Sequence, residues 1–189
     1  MENSEVEKFE PDEEKYLLGL ARGALESVVC GKKMPGPDSL APKYMQERGC
    51  FVTLTSSGRL RGCIGNIEPA GPLYESVMSN AVNAGMYDPR FPKVNASELA
   101  CINIEISVLT TPRPLKFSSP EDLLLKLQPC VHGVILKHGL HRSTFLPHVW
   151  EQLPDKITFL EHLSLKAGVD KDGWKSAEVW VYETVHFNE

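Results

Sequence analysis

One short run of this sequence, Leu60-Arg61-Gly62-Cys63-Ile64-Gly65, sets a thiol between two glycines inside a β-prone segment. Glycine costs stability within a strand, and where it stands there it marks a bulge or a close approach of backbone or ligand. In a regular strand Arg61 and Cys63 share a face, and a guanidinium beside a thiol favours the nucleophilic thiolate. Such a pair would serve nucleophilic or thiol-acceptor chemistry, with Gly62 and Gly65 shaping the surface. Packing explains the same residues: with an even hairpin loop before it, Cys63 falls opposite Val52 and is merely small.

Other groups could assist. Asp88-Pro89-Arg90-Phe91-Pro92 joins an ion-pair-capable Asp88 and Arg90 to two prolines and an aromatic ring. It reads as a rigid turn in which Asp88 caps amides and Arg90 holds a carboxylate, or as part of a binding site. Glu105 and His132 are the candidate proton carriers. Ser143-Thr144, beside His141 and Arg142, lacks the GxSxG elbow and is set aside as a nucleophile. Neither a phosphate-binding Walker loop nor a dinucleotide glycine pattern is present, and no cofactor is expected.

The five cysteines, Cys30, Cys50, Cys63, Cys101 and Cys130, form no CxxC pair. They read as reduced thiols, mostly small core residues. Histidines crowd between His132 and His148, either as metal ligands or as partly exposed loop residues. With no HExxH and no close cysteine pair, no structural zinc is expected.

The elements that must position these groups follow from periodicity. Pro11-Asp12 with Glu13 and Glu14 starts a helix that Gly31 stops, and Lys32 to Pro42 is a Pro/Gly loop. Cys50 to Ser56 and Arg59 to Ile64 flank Ser57-Gly58, a hairpin signal. Leu73 to Met86 is a helix with Leu73, Val77, Ala81 and Ala84 inward. Leu99 to Leu109 is the clearest strand: Ile102, Ile104, Ile106 and Val108 face one way, Asn103, Glu105 and Ser107 the other. Ser119-Pro120-Glu121-Asp122 caps a short helix to about Leu127. Val131 to Lys137 is a strand, Leu146 to Leu153 and Ile157 to Ala167 are helices, and Glu178 to Phe187 is one final strand. Hairpins interspersed with helices, without βαβ order, predict an α+β fold with a largely antiparallel sheet flanked by helices.

Apolar residues at 42% and charged residues at 24% describe a soluble globular chain. Its 189 residues suffice for a core without disulfides or metals. No apolar run reaches spanning length, so no membrane is expected as partner. The acidic opening is unlike a targeting peptide, and a cytoplasmic protein is expected. Seven carboxylates stand in residues 1–14 against Lys8 alone, leaving the body near neutrality. That body lacks the basic stripe of a nucleic-acid binder, so nucleic acid is not expected as a ligand. Residues 1–11 read as a solvated acidic segment and 12–187 as one domain.

LRGCIG (60–65), IEPAGPL (67–73), YDPRFP (87–92), IEISVL (104–109), FLPHVW (145–150) and KAG (166–168) occur in this order. Together they resemble the AMMECR domain family, named after a human chromosomal deletion region associated with Alport syndrome and elliptocytosis. The resemblance implies an α+β fold of two intimately associated subdomains, the larger around an antiparallel sheet. It implies no settled activity. Its prokaryotic members often stand beside Memo-type and radical SAM proteins, which implies a shared modification pathway with such a protein as partner. It also makes Arg61, Gly62, Cys63 and Gly65 the candidate site. Two readings stay open: a cytoplasmic enzyme or enzyme component using Cys63 at a cleft, and a non-catalytic module whose glycine-bracketed strand offers backbone groups to a protein or peptide.

Overall fold

The computed structural model describes residues 8–36 and 41–189 of the chain. Glu2, Glu5 and Glu7 of the acidic opening, and residues 37–40 of the Pro/Gly loop, lie outside the described residues. The chain divides into two units, one running to Leu109 and resumed over Val185–Glu189, the other Thr110–Thr184.

In the first unit, helix α1 (Pro11–Cys30) has proline at its first position and acids in its first turn, and it ends on Gly31 at φ 66°. The left-handed conformation there suits glycine. The packed chain reaches back beyond this start: Phe9 is buried against Phe187, ring centroids 5.5 Å apart. Glu13 is not simply solvated, since it pairs with Lys43 at 2.5 Å. After a single helical turn, α2 (Pro42–Met45), the hairpin of β1 (Cys50–Ser56) and β2 (Arg59–Asn66) closes through Ser57 and Gly58, both at positive φ. That is the turn whose twist matches paired strands.

Helix α3 (Leu73–Met86) and β3 (Ile102–Leu109) follow. Ile102, Ile104, Ile106 and Val108 are buried, whereas Asn103, Glu105 and Ser107 lie on the opposite, more open face. The first three residues of the expected strand, Leu99–Cys101, instead form a 3-10 turn. Arg22 holds this turn by donating to the Leu99 and Ile102 carbonyls. Helices α1 and α3 cover the isoleucine face and build one core with β1 and β3.

The second unit contains β4 (Arg113–Pro114), α4 (Pro120–Lys126), β5 (Gly133–His138), β6 (His141–Phe145), α5 (Lys156–Lys166) and β7 (Glu178–Tyr182). Its core gathers Leu123 of α4, Phe159, Leu160 and Leu163 of α5, and the indoles of Trp150 and Trp174. The expected helix over Leu146–Leu153 is a five-residue 3-10 segment, Pro147–Glu151. The segment Glu178–Phe187 is two strands, not one. After β7 the chain leaves the second sheet at Glu183 and enters the first as β8 (Thr184–Asn188). Glu183 has its carbonyl bonded to the Thr110 N–H and its N–H to Thr110 Oγ1, each at 2.9 Å. Alternation reports which face a residue takes; it carries no information on which sheet the strand joins.

The fold is α+β, with two antiparallel four-stranded sheets ordered β2-β1-β3-β8 and β4-β7-β5-β6. Among the described residues no helix is long and apolar enough to cross a membrane.

Candidate functional site

The register of the first hairpin changes midway along it. Thr55 pairs with Leu60, but Leu54 pairs with Gly62 and Thr53 with Cys63. Arg61 is the extra residue, left without a counterpart on β1, and a bulge of this kind re-aims the side chains around it. An unbroken two-residue hairpin would have set Cys63 against Val52; the bulge sets it against Thr53. Cys63 thereby leaves the isoleucine side of the sheet for the face that carries Glu105.

Gly62 occupies the helix-facing side of this turn of events. A Cβ built there would meet the Ala84 carbonyl oxygen at 2.1 Å, so α3 lies directly on the strand. At Gly65 a Cβ would fall 2.3 Å from the Phe51 ring, which leans over the position beside Cys63. Both glycines serve close approach, as their place in a strand predicts.

β2 is an edge strand, and its outer side is not bare at Cys63. The Cys63 N–H donates to Asp88 Oδ2 at 2.9 Å, and Arg90 Nη2 donates to the Cys63 carbonyl at 3.2 Å. Arg90 also forks onto Asp88, at 2.9 Å through Nε and 2.7 Å through Nη2. Two side chains thus stand in for the neighbouring strand that β2 lacks. The Asp88 side chain is 1% exposed, that of Arg90 54%. The guanidinium of Arg90, helped by the N–H groups of Cys63 and Arg90, holds the Asp88 carboxyl well below the usual carboxylate range despite burial. Arg90 is stabilised in its charged form by Asp88 first, with the Cys63 sulfur a smaller contributor.

The thiol itself is half-buried and accepts a hydrogen bond from Thr53 Oγ1 at 3.3 Å. Thr53 pairs with Glu105 on its other side, so Cys63, Thr53 and Glu105 form one row across three strands. Cross-strand neighbours of this kind stand about 5 Å apart at Cβ. Glu105 is half-buried on that face.

The structure redistributes the expected roles. Arg61 does not serve Cys63: its guanidinium forks onto Glu98, at 3.2 and 3.1 Å, with a side chain 12% exposed. The cation bonded at Cys63 is Arg90, through the backbone carbonyl. Glu98 in turn sits below its ordinary carboxyl range because of Arg61, with the Asn95 N–H adding. His132 belongs to the second unit and is used there: its Nδ1 accepts from the Gln128 N–H at 3.2 Å, and its carbonyl accepts from Trp150 Nε1 at 2.7 Å. Burial first, and Arg113 second, push its imidazole down from the usual value. Ser143 is a buried anchor donating to the Leu163 carbonyl at 2.6 Å.

The cysteines also depart from expectation. Only Cys50 is a core thiol, pushed up to about 12 by burial; Cys30, Cys101 and Cys130 are exposed. Thr53 and Glu98 escaped the sequence reading. Thr53 meets Cys63 only through the bulge, and nothing in the spacing of Glu98 announces a partner 37 positions away. Asp88 and Glu98 are already engaged by arginines, and among the described residues no group of three or more His, Cys, Asp or Glu is gathered to hold a metal ion.

Fold and site together define an α+β protein with a clamped edge strand that carries a half-open thiol. The AMMECR1 family pattern matches residues 18–187, and the chain belongs to that family. It is 38% identical over 183 residues to a protein of Methanosarcina acetivorans, the match covering 94% of this chain and 92% of that one. Protein NEQ441 of Nanoarchaeum equitans is 37% identical, with 92% and 98% covered. The crystal structure of the uncharacterized protein PH0010 from Pyrococcus horikoshii superposes with a TM-score of 0.82 at 32% identity, over 92% of this chain and 90% of that one.

Proposed function

We propose that the chain is a cytoplasmic enzyme, or enzyme component, whose chemistry is carried by the Cys63 thiol within the LRGCIG segment. One observation carries this reading: at Cys63 both backbone groups are occupied by Asp88 and Arg90 while the residue remains partly exposed. A module that reads the backbone of β2 would find those groups already taken. What the strand offers at this point is its side chain. In this reading Cys63 is the nucleophile or acceptor, Arg90 its electrostatic partner, Thr53 the donor that orients the sulfur, and Glu105 the proton carrier. As the family resemblance implies, the proposal extends to a place in a modification pathway, with a Memo-type or radical SAM protein as partner and neither nucleic acid nor membrane involved.

Alkylation of the native chain by iodoacetamide, read cysteine by cysteine by mass spectrometry, tests the reading. Cys30, Cys101 and Cys130 should react because they are exposed, and buried Cys50 should stay protected until the protein unfolds. Cys63 should react in the native state at a rate matching or exceeding that of Cys101, although it is less open. Protection of Cys63 until unfolding would overturn its role as an accessible nucleophile.

A further inference from the structure

The turn joining β5 to β6 has two residues, Gly139 at φ 61° and Leu140, which is fully exposed. The residues that flank it, His138 and His141, are register partners. Directly opposed residues on antiparallel strands carry their Cβ atoms about 5 Å apart on one face. That face is the core side of the sheet, since His138 lies two residues beyond buried Leu136 and His141 two before Ser143. Two imidazoles therefore stand together at the rim of the second core.

Hydrogen bonds behind the rings engage one nitrogen of each. His141 Nδ1 lies 3.1 Å from the Ala167 carbonyl oxygen, which can only accept. Nδ1 therefore carries the proton of the neutral ring and Nε2 keeps a lone pair. His138 Nε2 lies 3.3 Å from Ser176 Oγ, and that hydroxyl donates to the Gly173 carbonyl at 3.4 Å. In the tautomer with the proton on Nε2, Ser176 Oγ accepts it and Nδ1 keeps the lone pair. Each ring is tied to the protein through one nitrogen and offers the other. Metal-ligating histidines are held in this way.

We propose that His138 and His141 form an open, two-imidazole site for a divalent first-row transition-metal ion, with water in the remaining positions. Imidazole nitrogen suits Zn2+, Ni2+ and Cu2+. With two protein ligands this is a labile surface site, unlike the closed four-ligand structural zinc sites. The adjacent cations do not oppose it. Lys137 and Arg142, the next pair in register, belong to the other face, and Lys175 is paired with Asp172 at 2.7 Å.

The test titrates Ni2+ into the full chain, stripped with a chelator and carrying Cys30→Ser, Cys101→Ser and Cys130→Ser so that exposed thiols do not compete. One ion should bind per chain and broaden the ring resonances of His138 and His141 together. His138→Gln and His141→Gln should each weaken binding at least about tenfold, a change read directly in Kd. His148→Gln, at an exposed histidine elsewhere, should bind as the parent does. Circular dichroism without metal checks that each variant is folded. Binding that survives either substitution, or no saturation by about 1 mM Ni2+, overturns the site.

Discussion

Gly62→Ala is expected to cost about 3 kcal/mol of stability or to prevent folding, the upper end of what overpacking costs. The added methyl would stand 2.1 Å from the Ala84 carbonyl oxygen and 2.9 Å from its carbon. Both atoms are backbone, so no rotamer can turn aside. Helix α3 cannot retreat cheaply either, because Leu73, Val77 and Ala81 are fully buried beneath it. Gly19→Ala is the matched control. Gly19 is an exposed helical glycine with nothing within 4 Å of the new methyl, and its replacement should stabilise. The expected gain is about 0.5–1 kcal/mol. Urea unfolding reads both as midpoint shifts at constant slope. A Gly62→Ala chain as stable as its parent would show that α3 does not press on the strand.

Asp88→Asn should cost about 2–3 kcal/mol near neutral pH, since it removes the charge that Arg90 pairs with and puts a donating NH2 in place of one of the two carboxylate oxygens that hold Arg90 and the Cys63 amide. The loss should depend on pH in a definite sense. The folded Asp88 carboxyl titrates below its unfolded value, so the unfolded chain binds more protons in the acid range. The stability Asp88 contributes is complete above its unfolded pKa of about 4 and is lost as pH falls through the folded value. Urea midpoints of parent and variant should therefore run parallel from pH 8 to about pH 5 and converge in acid. A gap that stays constant to pH 3 would mean that the variant fails for reasons other than charge.

Most of the secondary structure was legible because its signals are local. Leu73–Met86 and Cys50–Ser56 have the bounds that periodicity and turn residues predict. The alternation over 102–108 fixed two faces, because a slip of one residue would have put every isoleucine in water. Pairing was the illegible part. No pattern within Arg59–Asn66 tells that Arg61 will bulge, since the bulge answers to α3 resting on Gly62, an element that begins seven positions after the strand ends. From that one shift follow the errors about the site: Val52 as neighbour of Cys63, and Arg61 as its cation. Asp88 and Arg90 were visible as a pair, but their target was not, because a side chain that completes a sheet edge leaves no mark on the strand it serves.

The excursion from Thr110 to Thr184 has a consequence for how the protein is made. Strand β3 ends at Leu109, and β8, which covers its outer side, begins only at Thr184. On a ribosome the isoleucine-rich β3 therefore emerges long before its partner does. At ordinary elongation rates the interval is roughly 4 to 15 seconds, far longer than a hairpin needs to form. The second unit is continuous in sequence and can close on itself during that wait, whereas the first must hold an open, apolar edge until the last strand arrives. Nascent chains stalled after β3 has emerged and before β8 has are the ones in which a holdase would find the most to bind.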